Sequence, residues 1–296
     1  MKFPDSFTII SDEISQDLPD VIRFVKEFQL PGIELRSMFG RAFKDLTRAD
    51  LAEIKRVATG EGWRIFGCAS PVFKCDIDDA AAVKAHGEEF RRAVGVAFEL
   101  GCDLVRVFTF LRRNPGENLP LLPRVAAHLE QLRTLAGPAP IRIGIENEHS
   151  CVVATGEESA ALCALLPDPQ FGVVWDPCTV LYVPGTQGSP TTSFATLRPR
   201  LFHIHIKDAT RGTSSTGALV AQAAPVNAGH VGWAAHLAEI QRSGYRGMLS
   251  LETHWRKEQI SEELLHLPAG YAFSKGGEEA SRTCLRTLRE ISPSAK

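Results

Sequence analysis

Short apolar runs rich in Val, Ile and Phe recur eight times along this 296-residue chain. A segment of helical period, or room for one, follows each run. The expected strands cover residues 7–10, 32–35, 65–69, 104–108, 141–145, 171–175, 201–206 and 248–251. Between and after them, helices are expected over 18–28, 49–59, 80–100, 121–136, 157–166, 233–243 and 278–291, with a weak one at 194–197. In the first helix Leu18, Val21, Ile22, Val25 and Phe28 share one face at helical spacing. The third ends at Gly101, a good C-terminal stop. Strands linked by helical crossovers form a parallel sheet, and eight such units close into a (β/α)8 TIM barrel, which needs roughly 250 residues. An open doubly wound sheet is the competing α/β architecture. No repeat or linker divides the chain, so residues 1–296 read as a single domain. The Gly/Ser/Thr-rich stretches 184–193 and 210–217 read as long loops over the barrel mouth.

The formal net charge is −2, with Lys and Arg scattered. A nucleic-acid partner is therefore disfavoured for want of a basic face. No apolar run reaches the roughly 18 residues of a membrane helix, so no membrane partner is expected. Asp5, Ser6 and Asp12 interrupt the apolar stretch that a signal peptide would need. The seven cysteines are odd in number and form no CxxC pair, which points to reduced thiols and a cytoplasmic protein. No GxGxxG, P-loop or GxSxG motif is present, and Cys178 beside Asp176-Pro177 reads as packing or loop.

Functional side chains of such barrels sit at the C-terminal strand ends. The last four strands finish in GIENE, VVWDP, HIHIKD and LSLETH, each on a metal-competent residue: Glu146, Asp176, His205 and Glu252. A single Asp or Glu in such a place is usually a helix cap or a loop charge. Four in succession deliver three carboxylates and an imidazole to one rim. Carboxylates so clustered repel unless a cation or protons neutralise them. Mixed O/N ligation suits one divalent metal ion (Mn, Zn, Mg or Co) and does not choose among these.

The series GIEN, WDP, HIHIKDA and GYRGMLSLETH, preceded by SDEISQD and GIELRS, resembles the sugar phosphate isomerase/epimerase superfamily of xylose isomerase-like barrels. Ketose 3-epimerases, inosose dehydratases and endonuclease IV share that barrel. The resemblance runs over nearly the whole chain. It implies a metal bound by Glu146, Asp176, His205 and Glu252, with His205 preferred to His203 because it stands two residues before Lys207-Asp208. His203 points the same way along the strand and reads as a partner of the site or a buried histidine. Endonuclease IV has a histidine where this chain has Thr179, and the turn Asn227-Ala228-Gly229-His230 lacks an Asp-x-His pair. Three zinc sites are not expected, and His230 reads as structural. Ketose epimerases hold substrate with a histidine near Thr179, so the substrate is left open.

The site so implied permits isomerase or epimerase chemistry on a sugar, sugar phosphate or keto-polyol through an enediolate, with Glu146 and Glu252 as acid and base. Expulsion of a β-hydroxyl from the same enolate gives a dehydratase of an inosose or dehydroshikimate-like substrate. A nuclease or a ligand-binding barrel remains as a further class. Arg36, Lys207, His254 and His203 are the expected substrate-side residues; alternatively, Glu34 and Arg36 pair across the rim. Phe73 lies in the loop where these enzymes gate substrate, and Trp255 and Phe110 either stack on a sugar or cover the rim. The resemblance also leaves a homodimer or homotetramer open.

Overall fold

The computed structural model describes residues 6–114, 116–257 and 274–293; the first five residues, part of the segment read for a leader, lie outside them. Eight strands form one sheet: β1 (Phe7–Ile9), β2 (Gly32–Leu35), β3 (Arg64–Ala69), β4 (Leu104–Val107), β5 (Arg142–Glu146), β6 (Phe171–Trp175), β7 (Leu201–Ile206) and β8 (Leu249–Leu251). The sheet order is β1-β8-β7-β6-β5-β4-β3-β2, and the paired strands run parallel. The seam between β1 and β2 is drawn together by a parallel bridge from Ile10 to Glu34 and by the Thr8 hydroxyl, which donates to the Gly32 carbonyl at 2.7 Å. This is the TIM barrel that the alternation predicts.

The strands are continuous apolar runs because both faces are covered. One face fills the barrel and the other meets the helices α1 (Leu18–Glu27), α2 (Arg48–Glu61), α3 (Ala80–Leu100), α4 (Asn118–Ala136), α5 (Gly156–Leu165), α6 (Phe194–Leu197), α7 (Trp233–Arg242) and α8 (Gly277–Ile291). Local chemistry sets their ends. Thr47 with Asp50 and Thr155 with Glu158 form capping boxes at the starts of α2 and α5. Gly101 ends α3 in the left-handed region, φ 72°. Among the described residues no helix is long and apolar enough to cross a membrane.

The stretch 210–217 departs from expectation. It belongs to an antiparallel hairpin in which Ala209–Thr213 pairs with Leu219–Ala223. Nearly all of its strand residues are exposed or half-buried, and the first strand, ATRGT, carries little of the apolar patterning that marks a buried strand. The turn is closed by the Ser214 amide donating to Ala218 and by Gly217 at φ 81°.

Candidate metal centre

Four consecutive strands bring the predicted residues together. Glu146 is the last residue of β5, Asp176 follows β6, His205 lies in β7 opposite Ser250 of β8, and Glu252 follows β8. All four are buried, and one ligand atom from each lies within 4.8 Å of the others. Backbone contacts fix the ends. The Glu252 amide donates to the Ile206 carbonyl at 3.0 Å. Asn147 clips β5 to β6: its side-chain carbonyl accepts from the Asp176 amide at 2.8 Å, and its NH2 donates to the Asp176 carbonyl at 2.7 Å. Asp176 also does what an aspartate after a strand ordinarily does. Its Oδ1 accepts from the Cys178 and Thr179 amides at 2.9 and 3.3 Å, which leaves Oδ2 for the site.

Three buried carboxylate oxygens, Glu146 Oε2, Asp176 Oδ2 and Glu252 Oε2, have no hydrogen-bond partner among the described residues. Cations stand beside them without hydrogen-bond alignment: Arg106 at 3.0 Å from Glu146 Oε2, and the Lys207 ammonium at 2.7 Å from both Asp176 Oδ2 and Glu252 Oε2. Buried polar atoms in this condition are costly and ask for a ligand. Three carboxylates and one imidazole are a donor set that a divalent cation fits.

The electrostatics follow from who stands next to whom. Burial opposes ionisation of Glu146, but His205, Arg106 and Lys207 override it and hold the carboxyl below its usual range. Burial likewise opposes charge on Glu252; Lys207, His254 and Arg36 pull it well below. Asp176 goes the other way, pushed up to about 6, because burial and the neighbouring Glu146 outweigh Lys207. Burial disfavours charge on His205 and Lys207, yet the surrounding carboxylates raise both well above their ordinary values.

The remaining predicted residues fall around this set. His203 does not reach the carboxylates of the rim; its Nε2 lies 3.1 Å from Glu34 Oε2, the same oxygen that faces His205 Nε2 at 3.1 Å. Glu34 therefore turns to the two histidines. Arg36 is taken up by Asp12 at 2.8 Å, by Glu13 at 3.0 Å and by a close contact with Glu252, and its side chain is only 11 % exposed. It braces Glu252 against the turn after β1. His254 also holds Glu252, with Nε2 at 3.1 Å from Oε1. Phe73 and Phe110 are buried and stack at 4.4 Å, so neither presents an open face, and Trp255 is partly buried against the core. Phe73, Phe110 and His254 all adopt left-handed backbone, φ 66°, 67° and 49°, an arrangement that costs energy in side-chain-bearing residues and concentrates near functional sites. His230 Nδ1 accepts from the Arg211 amide at 3.0 Å, a structural use. Cys178 is buried and its thiol is pushed well up by burial and Asp176, the opposite of what a nucleophile needs.

Arg106 stands out in the sequence only as a supporting residue on β4; Glu148, Lys74, Asp12 and Glu13 do not stand out as site residues. Arg106 is a buried charge inside the apolar run of β4 and lies over Phe108 at 4.2 Å. Glu148 is buried two residues beyond Glu146 and faces Lys74 at 3.6 Å. Asp12 and Glu13 are wholly buried after β1. Charges this close to strand ends were the available signal.

A family model described as xylose isomerase-like TIM barrel matches residues 22–295. Among solved structures, the IOLI protein with a bound zinc atom is 17% identical with a TM-score of 0.72, the alignment covering 98% of each chain. D-allulose 3-epimerase from Methylomonas sp., in complex with D-allulose, is 19% identical with a TM-score of 0.68, covering 98% of this chain and 99% of that one. The probable 3-DHS dehydratase AsbF from Bacillus anthracis is 15% identical with a TM-score of 0.67, covering 96% and 98%. No curated protein matches by sequence.

Proposed function

The chain belongs to the xylose isomerase-like TIM-barrel family, and within it we propose that it is a divalent-metal-dependent isomerase or epimerase of a sugar, sugar phosphate or keto-polyol. The observation that carries this reading is the convergence of Glu146, Asp176, His205 and Glu252, with three buried carboxylate oxygens that meet cationic nitrogens but no well-aligned hydrogen-bond donor among the described residues. A divalent ion would be held by these four residues and would supply Lewis-acid polarisation of a carbonyl oxygen.

The chain's own residues supply the proton transfers. Glu146 and Glu252 enter from β5 and β8, with Asp176 and His205 between them in strand order. Both are held ionised, the form in which a carboxylate accepts a proton from carbon. One, as the carboxylate, removes the proton next to the carbonyl; the other, having first taken a proton from water, delivers it on the opposite face, which inverts that carbon. Arg36 and His254 keep Glu252 oriented, and Arg106 does the same for Glu146. A D-allulose 3-epimerase and a probable 3-DHS dehydratase have this fold, which supports an epimerase or dehydratase reading.

Dehydration is the second reading. It is favoured by the buried Lys207 ammonium, a cation placed to hydrogen-bond a departing hydroxyl oxygen.

The test is solvent-deuterium exchange followed by NMR. Protein stripped of metal and reloaded with Mn²⁺, Co²⁺, Mg²⁺ or Zn²⁺ is incubated in D2O with ketoses, keto-inositols and dehydroshikimate. Metal-dependent exchange beside the carbonyl, lost in Glu146→Gln, is the expected result, and the product separates epimerase from dehydratase. One bound metal with no exchange on any of these substrates overturns the reading.

A further inference from the structure

The Lys207 ammonium stands in the middle of the ligand set. It is 2.7 Å from Asp176 Oδ2, 2.7 Å from Glu252 Oε2 and 3.8 Å from Glu146 Oε1. The first two are among the oxygens without hydrogen bonds. Metal–oxygen bonds are about 2.0–2.2 Å for Zn²⁺ or Mg²⁺. An ion bound by those oxygens would therefore stand within a few ångströms of the ammonium, where two cations repel strongly. Lysine is a compact charge on a flexible stem of four carbons, so its head can move while its backbone stays. The backbone here is anchored: the Lys207 carbonyl accepts from Trp233 Nε1 at 2.6 Å.

A second anionic group lies within electrostatic reach of Lys207, though outside ion-pair distance. Glu148 is buried, its charge already interacts with that of Lys207, and its neighbours are Lys74 at 3.6 Å and His149 at 2.9 Å. We propose that Lys207 is a tethered counter-ion with two positions: among Asp176, Glu252 and Glu146 when no metal is bound, and turned toward Glu148 when a metal enters. The inference rests on the metal-site reading above and goes beyond it. Lys207 thereby holds three buried carboxylates together in the stripped protein, and it offers its ammonium to substrate oxygens only after metal has bound. Metal binding then precedes productive substrate binding.

The full chain, stripped with chelator and titrated with Mn²⁺ by calorimetry, tests this without any substrate. Lys207→Gln removes the competing charge, and it is expected to bind Mn²⁺ about tenfold tighter or more. Its stripped form is expected to melt lower than stripped wild type, while the Mn²⁺-saturated forms melt much closer together. Lys207→Arg keeps the charge and grips carboxylates with a fork, so it is expected to bind Mn²⁺ more weakly than wild type. Glu148→Gln removes the second position and is expected to weaken Mn²⁺ binding, an effect that vanishes in the Lys207→Gln background because the two residues act as one device. Lys207→Gln affinity equal to or below that of wild type overturns the proposal alone. So does Lys207→Arg binding Mn²⁺ as tightly as wild type, which keeps the test decisive if the glutamine variant does not fold. Failure of the wild-type protein to bind Mn²⁺ overturns the metal-site reading beneath it.

Discussion

Glu34 Oε2 lies 3.1 Å from His205 Nε2, on the side of the ring opposite Nδ1, which faces Glu146 Oε1 at 2.9 Å. The carboxylate holds the proton on Nε2 and aims Nδ1 at the ligand set. Glu34 is itself kept ionised, since burial is outweighed by His205 and His203. A carboxylate behind a metal-binding histidine fixes its tautomer and orientation. Glu34→Ala is expected to lower affinity for Mn²⁺ or Zn²⁺ by about 10- to 100-fold. Glu34→Gln, which keeps an acceptor oxygen, should lose less. Chelator competition measures both, and an unchanged affinity in the alanine variant would leave Glu34 as packing.

Glu146 and Glu252 differ in their company. Glu146 leans on Arg106 and His205, and Glu252 on Arg36, His254 and Lys207. Arg36 retains Asp12 and Glu13 when Glu252 is neutralised. Both Glu146→Gln and Glu252→Gln should therefore fold, with circular dichroism like that of wild type. Each is expected to lower metal-dependent deuterium exchange by about 10²- to 10⁴-fold, the usual weight of a positioned acid or base. Full exchange in either variant removes that residue from the proton-transfer pair.

The convergence of Glu146, Asp176, His205 and Glu252 was legible because each stands at or near the end of an apolar run. Strand count and strand-end position needed only local patterning. Glu34 and Arg106 are visible in the sequence as charges in apolar strands, but their partners are not, because only closure of the barrel shows what they face. Glu34 on β2 meets His205 on β7, three strands away around the barrel through the β1–β2 seam. Arg36 was visible as a charge near a strand end, but its partners come from the turn after β1 and from Glu252. A charge that reads as open to substrate in one segment can be neutralised by residues remote in sequence. The hairpin after β7 was missed for a different reason: nearly all of its strand residues are exposed or half-buried, and its first strand, ATRGT, carries little apolar patterning.

Asp208 is the centre of the turn that follows β7. Its carboxylate accepts from the amides of Ala209, Asn227, Gly229 and Val231 at 2.8–3.1 Å. Gly229 is required there by space, since a Cβ would stand 2.1 Å from Asp208 Oδ1 and 2.6 Å from the Ala209 carbonyl. The turn leads into α7, whose Trp233 anchors the Lys207 backbone. Asp208→Ala leaves several amides without their acceptor and is expected to destabilise the fold by about 2–4 kcal/mol. Gly229→Ala should weaken the same turn while Asp208 is intact. Thermal melts of both variants check this, and melting points unchanged from wild type would show that the turn holds without either residue.

Asp12 gives a pH dependence that can be read apart from the metal ligands. Its carboxyl is pushed up from an ordinary value of 3.8 to about 6, because burial outweighs Arg36. Arg36 is shared among Asp12, Glu13 and Glu252, while Glu13 has Arg256 at 3.0 Å as well. Asp12 is thus the member of the cluster that takes up a proton first. Its folded form binds that proton more tightly than the unfolded chain does. The stabilising contribution is therefore fully present below pH 3.8, and it is lost as pH rises through about 6. A change of this size corresponds to about 3 kcal/mol between the two limits. Asp12→Asn does not titrate, so its melting temperature relative to wild type should climb between pH 4 and pH 7 and then level off. Paired melts of stripped protein across that range measure the difference. A flat difference would mean that Arg36 keeps Asp12 ionised throughout, and that the excess negative charge of the cluster is relieved at another residue.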